Sequence, residues 1–481
     1  MRVIHWFRQD LRLADNPALH YAADQGEVIP VFIGLDAPSS PDGFFYGGAS
    51  RWWLHHSLVA LDQNLQEHDQ SLIIRRVASP DAVLACLTDL IKQSGAQMVV
   101  WNRRYEPDHI EQDRLIKAQL QEMGVAVHSF TGNYLFEPWQ ISNRQGKAYK
   151  VFTPFWKMLV SEGIDRPLTP EPAQIRPAHH KLSPGSVTDL NLLPALDWAD
   201  GFAEYWQPGE AGAWARVERF MRDIDQYDQT RNRVDWQGTS RLGAHLHFGE
   251  LTPRQLVRRV FEHNPQPLEQ CGCEHFLREL GWREFAAHLI YHFPHTQTDN
   301  LDPRFDDFNW NQDPSVIKAW QQGQTGVPIV DAAMRCLWHT GWMHNRNRMI
   351  VASFLCKNLR VHWRVGADWF MDTLVDADLA SNTAGWQWVA GTGADAAPYF
   401  RIFNPVLQTE KFDPNADFIR RWVPEIAALN NKQISQPDIL PAQTLDQAGI
   451  VLGRDYPRAI VDIKESRKAA LAAFEQIKNR N

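Results

Sequence analysis

The chain has 481 residues, 44% of them hydrophobic and 22% charged, with a formal net charge of −8. That balance describes an ordinary folded protein and excludes a disordered, collagen-like or disulfide-dense chain. No apolar run approaches the roughly 20 residues of a membrane span, and a nucleic-acid partner would need a local basic patch, because the overall field repels it.

The opening MRVIHWFRQDLRLADNP carries Arg and Asp where a secretion signal would place its apolar region, so a cytoplasmic location is expected. Strand-like apolar runs lie at residues 3–7, 28–33, 72–77, 98–101 and 125–130, and helical patterns such as 51–67 and 81–94 fall between them. Short β-rich runs separated by helix-length segments predict a parallel sheet covered on both faces. No GxGxxG follows the first strand, so the usual dinucleotide fingerprint is missing and a structural role for the sheet stays open. Residues 166–194 hold six prolines and little periodicity, which marks a connector. After about residue 200 the spacing becomes helical over 210–227, 252–262, 274–291, 327–340, 344–359 and 366–375, with Thr252-Pro253 reading as an N-cap followed by Pro at the first helical position. The end of the chain reads as a solvated helix. Cys86, Cys271, Cys273, Cys336 and Cys356 are odd in number and form no CxxC pair, so reduced thiols are expected, without a disulfide or metal framework.

Residues 326–405 concentrate the chemistry. Trp338, Trp342, Trp363, Trp369, Trp386 and Trp388 crowd around Asn345, Arg346, Arg348, Asp376, Asp378 and Asn382, and the run GTGADAAPYF lets backbones approach closely. Buried polar groups need partners, so a polar set in an aromatic core points to a bound polar ligand; a helical core with internally satisfied polar residues is the alternative. Asp376 has the sign to pair with Arg348. Upstream, Gly238–Leu242 (GTSRL) offers backbone and hydroxyl donors to a phosphate, or ordinary helix capping, and Tyr227 could close over such a ligand. Glu279 and Trp282 share a helix face, where a carboxylate can bind a base edge while an indole stacks on its plane. Asn345 and Met349 lie one helical turn apart. A series of tryptophans can also carry an electron, although packing alone accounts for such residues equally well.

Together, WFRQDLRLADNPAL, GTSRL, ELGWREF, GWMHNRNRM, DADLASNTAGWQW and GADAAPYFRIFNP resemble the DNA photolyase/cryptochrome family, in its order and over nearly the whole chain. The resemblance implies a Rossmann-like α/β antenna domain with a five-stranded parallel sheet over residues 1–131, a linker over 132–199, and an all-α FAD-binding domain over 200–481. It implies flavin contacts from Tyr227, Thr239, Ser240, Arg241, Leu242, Phe276, Glu279, Arg348, Asp376, Asp378 and Asn382. Glu279, Trp282, Asn345, Met349 and Trp388 match the pocket for a flipped pyrimidine dimer, and Trp310, Trp363 and Trp386 match the electron-transfer triad. Arg231, Arg283, Arg346 and Arg401 match positions near DNA phosphates. The implied activity is repair of cyclobutane dimers in UV-damaged DNA by an electron from excited FADH⁻, in a monomer. The implied antenna is methenyltetrahydrofolate, with deazaflavin or a flavin as alternatives. Asn345 and Met349 stand where (6-4) enzymes carry a His pair, and Asn382 stands where plant and animal cryptochromes carry Asp or Cys. VAGTGADAAPYFRIFNP and WNRRYEP look most like bacterial class III, then class I, photolyases. A cryptochrome-type photoreceptor or an FAD electron-transfer protein without DNA are the rival readings; Asn382 and the absence of a long signalling tail weigh against the first, the arginines and the Glu279/Trp282 pair against the second.

Overall fold

The computed structural model describes residues 1–36, 46–194, 196–396 and 401–478. Its N-terminal part is one parallel sheet of β1 (Arg2–Phe7), β2 (Glu27–Leu35), β3 (Ile73–Val77), β4 (Met98–Asn102) and β5 (Ala126–Phe130), in the order β3-β2-β1-β4-β5. The five predicted strands are all present. Alternate residues of β1 divide between two cores: Val3 and Phe7 pack with helices Pro17–Gln25 and Gly48–Gln66, while Ile4 and Trp6 pack with Ala82–Ser94 and Pro107–Glu122. Burial on both faces explains why β1, β2 and β4 read as apolar runs, while the edge strands β3 and β5 are partly exposed.

The remainder is mostly helical, and some elements differ from expectation. The predicted 210–227 helix stops at Met221, and Ile224–Gln226 and Tyr227–Thr230 are separate short turns. That break lets Ile224 and Tyr227 bury against helix Cys271–His292, where Gly272 makes room: a Cβ there would stand 2.2 Å from the Ile224 carbonyl oxygen. Residues 344–359 form helix Asn345–Ser353 and a π-turn, Phe354–Asn358. The 366–375 segment is helix Trp363–Thr373. Helix Leu379–Ala390 was absent from the expected elements, because LASNTAG has too few large apolar residues to show a period. The predicted N-cap at Thr252 is a full capping box with Gln255. The connector packs along the sheet, burying Ile175, Leu182, Leu190 and Leu192. Among the described residues no helix is long and apolar enough to cross a membrane.

Buried charge joins the sheet's loop to the helices. Asp15 accepts from Arg254 Nε at 3.0 Å and Thr252 Oγ1 at 2.5 Å, and the fully buried Arg12 donates to the carbonyls of Gly132 and Gly249, each at 2.8 Å. Glu210 accepts from the Leu13 N–H at 2.9 Å, and Glu284 from the Leu135 N–H at 3.0 Å. Burial pushes both carboxyls from 4.5 to about 7, against the opposing N–H groups and nearby Arg12 and Arg283. A carboxyl raised in the fold contributes stability that is complete below its unfolded value and is lost as pH rises through its folded value. Stability should therefore fall between about pH 4.5 and 7 on account of these groups. Glu284→Gln should flatten that fall and, above pH 7, gain on the order of 1–2 kcal/mol; pH-resolved urea denaturation measures it, and an unchanged slope would refute the assignment.

Candidate functional site

A cavity of about 510 Å³ opens among helices Cys271–His292, Asn345–Ser353, Trp363–Thr373 and Leu379–Ala390. This is the size of a site for a substantial ligand. The inner wall is polar. Arg348 Nη2 donates to both Asp376 oxygens at 3.0 and 2.9 Å, the pairing expected from charge. Gly243 permits the approach, since a Cβ there would meet Asp376 Oδ2 at 2.6 Å. Asp378 caps helix Leu379–Ala390 through the Ser381 N–H at 2.8 Å and meets His247 Nδ1 at 3.2 Å. Burial opposes its ionisation, but the hydrogen bond from His247, then Arg283 and the Ser381 N–H, outweigh burial and hold it well below the usual carboxylate range.

Asn382 donates its amide to the Ala367 carbonyl at 3.0 Å, which leaves the amide oxygen for a ligand. Trp386 lines the same wall, and its buried indole N–H has no partner among the described residues. Beside it, nothing lies within 4 Å of where a Gly385 Cβ would point. An open face between an unpaired donor and a free acceptor suits a flat, polar, heteroaromatic group.

The mouth is aromatic and charged. Trp282 stacks on Phe152 with ring centroids 3.7 Å apart and planes 8° apart, and Trp388 donates to the Asp395 carbonyl at 3.0 Å. Arg231 pairs with Glu279 at 2.6 Å. Burial raises the Glu279 pKa, with Arg231 opposing. Tyr227 and Phe276 meet edge to face at 5.8 Å, and Asn345 and Met349 lie along the rim. Arg283 is held by the Asn133 carbonyl at 2.7 Å, over the Tyr134 ring.

Of the expected residues, Tyr227, Arg231, Ser240, Leu242, Phe276, Glu279, Trp282, Arg283, Asn345, Arg348, Met349, Asp376, Asp378, Asn382, Trp386 and Trp388 border this one cavity. Thr239, Arg241, Arg346, Trp310, Trp363 and Arg401 do not. Arg241, at φ 52°, stacks its guanidinium 4.3 Å from the Trp342 ring, and Arg346 reaches Asn232 at 2.6 Å. Arg401 is exposed. The GADAAPYF run continues into residues 397–400, which lie outside the described residues, so the close approach expected there has no structural account. Of the three tryptophans of the expected relay, Trp386 and Trp363 are buried and Trp310 is half-buried. Gly366, one turn beyond Trp363, lets the Trp386 ring lie against its helix; a Cβ would be 2.0 Å away. Trp363 is buried, and the His362 ring stands 5.6 Å from Trp363 and 5.1 Å from the half-buried Trp310.

His247 is the functional-wall residue that sequence reasoning missed. Its signal, a second histidine in the stretch after GTSRL, could not reveal a partner 131 positions away.

Two family models match the chain: DNA photolyase over residues 3–174 and the FAD binding domain of DNA photolyase over residues 276–476. A deoxyribodipyrimidine photo-lyase of Agrobacterium fabrum is 45% identical, covering 99% of this chain and 98% of that protein. Cryptochrome-2 of Arabidopsis thaliana is 35% identical over 99% of this chain and 79% of its own length. Among solved structures, a bacterial class III photolyase from Agrobacterium tumefaciens superposes with a TM-score of 0.91 at 43% identity, covering 99% of this chain and 98% of its own. A photolyase from the archaeon Sulfolobus tokodaii, described with two FAD molecules, superposes with a TM-score of 0.81 at 28% identity, covering 99% of this chain and 100% of its own.

Proposed function

The chain belongs to the DNA photolyase/cryptochrome family, and on that premise we propose that it repairs cyclobutane pyrimidine dimers in UV-damaged DNA, using light and FAD. One observation carries the reading: a single cavity has a polar inner wall suited to a flavin and an aromatic, carboxylate-bearing mouth suited to a flipped pyrimidine dimer. Residues 1–131 would form the antenna half, 132–199 the connector and 200–481 the catalytic half of a monomeric cytoplasmic enzyme.

Bound FAD in its reduced form supplies, on blue-light excitation, the electron that splits the dimer and then returns. The residues do the rest. Asp376, fixed by Arg348, and Asp378, fixed by His247, hold the polar edge of the cofactor. Asn382 would offer its free amide oxygen to flavin N5 and add no charge. Tyr227, Ser240, Leu242 and Phe276 would surround the phosphate side, with Thr239 and Arg241 beside Ser240 in the same loop but outside the cavity lining. Arg231, Arg283, Arg346 and Arg401 take DNA phosphates, which supplies the local basic surface an acidic chain requires. Photolyases act on a base taken out of the duplex. Here Trp282 and Trp388 flank the mouth that receives it, with Asn345 and Met349 at the rim. Glu279, its pKa raised by burial, hydrogen-bonds the dimer and steadies charge that develops on it in a water-poor site.

The antenna is assigned to methenyltetrahydrofolate, with deazaflavin or a second flavin as the competing chromophores. The place we propose for it is a crevice at the carboxyl ends of β1, β2 and β4, lined by Trp6, Arg8, Tyr46, Arg51, Arg104 and His109, whose volume of about 60 Å³ would take only part of the chromophore. The strand order reverses there, where open parallel sheets bind ligands.

Oligonucleotides carrying one defined lesion test the activity: blue light should restore the cyclobutane-dimer strand and leave the (6-4) strand, and the opposite pattern would overturn the reading. Trp386→Phe should cut photoreduction of bound oxidised FAD at least tenfold while chemically reduced enzyme keeps its repair yield; full photoreduction would remove Trp386 from the relay. Asn382→Asp would set an ionised carboxylate beside the reduced flavin anion, where like charges at contact are costly. Its flavin midpoint potential should fall and its affinity for damaged DNA should hold, as spectroelectrochemical titration and gel-shift measurements would read; unchanged potentials would reject the contact with N5.

A further inference from the structure

At the start of helix Cys271–His292, beside the turn Ile224–Gln226, the structure assembles donors that the cysteine spacing alone did not reveal. Asp225, His263 and Cys273 present one ligand atom each, all within 4.8 Å of one another. Asp225 Oδ1 is the hub, 3.1 Å from His263 Nε2 and 3.8 Å from Cys273 Sγ. Zinc bond lengths of about 2.0–2.3 Å in tetrahedral geometry separate N from O by about 3.3 Å and S from O by about 3.5 Å. The two contacts of Asp225 stand within a few tenths of an ångström of those separations.

The arrangement is built, not incidental. Gly272 brings the start of the helix against the turn carrying Asp225, since a Cβ there would meet the Ile224 and Asp225 carbonyl oxygens at 2.2 and 2.6 Å. Gln270 accepts from the Cys273 N–H at 2.6 Å and donates to the Asp225 carbonyl at 3.1 Å, so one side chain sets both ligands' backbones. Cys273 lies in the first turn of its helix, and His263 ends helix Pro253–His263, where the macrodipole favours a bound cation. Asp225 and His263 are accessible, with side-chain exposures of 58% and 30%, while the Cys273 residue is buried. A metal can therefore enter from solvent and still gain a sheltered sulfur ligand.

We propose that Asp225, His263 and Cys273 bind one divalent transition metal ion of the zinc class, with a water in the fourth position. The thiolate and imidazole select against Mg²⁺ and Ca²⁺, which prefer oxygen ligands. The ligands come from three elements. The ion thus ties the turn leading to Tyr227 and Arg231, and the end of helix Pro253–His263, to the helix that carries Phe276, Glu279 and Trp282. It is a structural clip behind the mouth of the cavity, and it stands independently of the repair reading.

Tag-free holoprotein, stripped with a chelator and dialysed against Zn²⁺, should take up one ion per chain by elemental analysis, without competition from millimolar Mg²⁺. Cys273→Ser and His263→Ala should each weaken that binding at least tenfold while the bound flavin keeps its absorption spectrum. His263 is partly exposed, so its variant keeps the test decisive if Cys273→Ser folds poorly. With ¹¹³Cd²⁺ in place of zinc, wild type should give one resonance shifted downfield by a sulfur ligand, and Cys273→Ser should lose it. No saturable uptake, uptake unchanged in both variants, or a cadmium signal without sulfur character would each overturn the site.

Discussion

The buried guanidinium of Arg12 is the constraint on which the joining of sheet and helices depends. It is fully shielded from water, and a charge so placed is tolerated only where partners surround it. Those partners come from three separate stretches: Asp15 on its own loop, Gly132 and Asn133 after β5, and Gly249 in the helical part. None of these groups can satisfy Arg12 unless both halves are in place. Asp15 adds a second tie, through Arg254 and Thr252. Such a network is weak evidence for net stability, because desolvation offsets most of its attraction. What it supplies is one relative placement of sheet and helices, since any other would leave a charge unpaired.

That placement reaches the cavity through Gln9. Its amide nitrogen lies 2.9 Å from His247 Nε2, and an amide nitrogen only donates, so His247 Nε2 accepts and Nδ1 carries the proton toward Asp378. The tautomer that fixes Asp378 is set by a residue beyond β1. The sheet therefore acts on the inner wall without touching any ligand there. This answers the possibility that the sheet has only a structural role: its loop orients a chain of hydrogen bonds ending at the site.

The sequence disclosed what lies close together in the chain or carries a large side chain. Strands β1, β2 and β4 were legible because two-sided burial leaves unbroken apolar runs, and the Arg348–Asp376 pair because complementary charges stood in otherwise apolar surroundings. Glu279 and Trp282 follow from helical spacing. His247 was not legible, since its role depends on Gln9 and Asp378, one far upstream and one far downstream. Helix Leu379–Ala390 was hidden for a related reason: it faces the cavity with Ser381, Asn382 and Gly385, and a helix that leaves room for a ligand cannot show an apolar stripe on that face. The Asp225, His263 and Cys273 triad escaped the cysteine count because only one of its ligands is a cysteine. In each case function weakens the local pattern from which secondary structure and sites are read.

The same small residues have a cost that bears on how the helical part is held together. A cavity of about 510 Å³ removes packing that a core of this size would otherwise have, and each unfilled volume costs in proportion to its size. Its wall also contains the Trp386 N–H, buried and unpaired among the described residues, a polar atom that is costly without a partner, and the Asn382 oxygen turned to the open space. Filling the space with larger side chains would remove both costs and with them the site. The four helices around it are therefore least stable where they are most functional, and a ligand that packs the space and pairs those atoms stabilises the fold by its own binding free energy. Arg12 and Asp15 lie outside that wall, in contacts no ligand needs to complete. The scaffold is fixed at the junction of sheet and helices, which leaves the cavity open to be completed by what it binds.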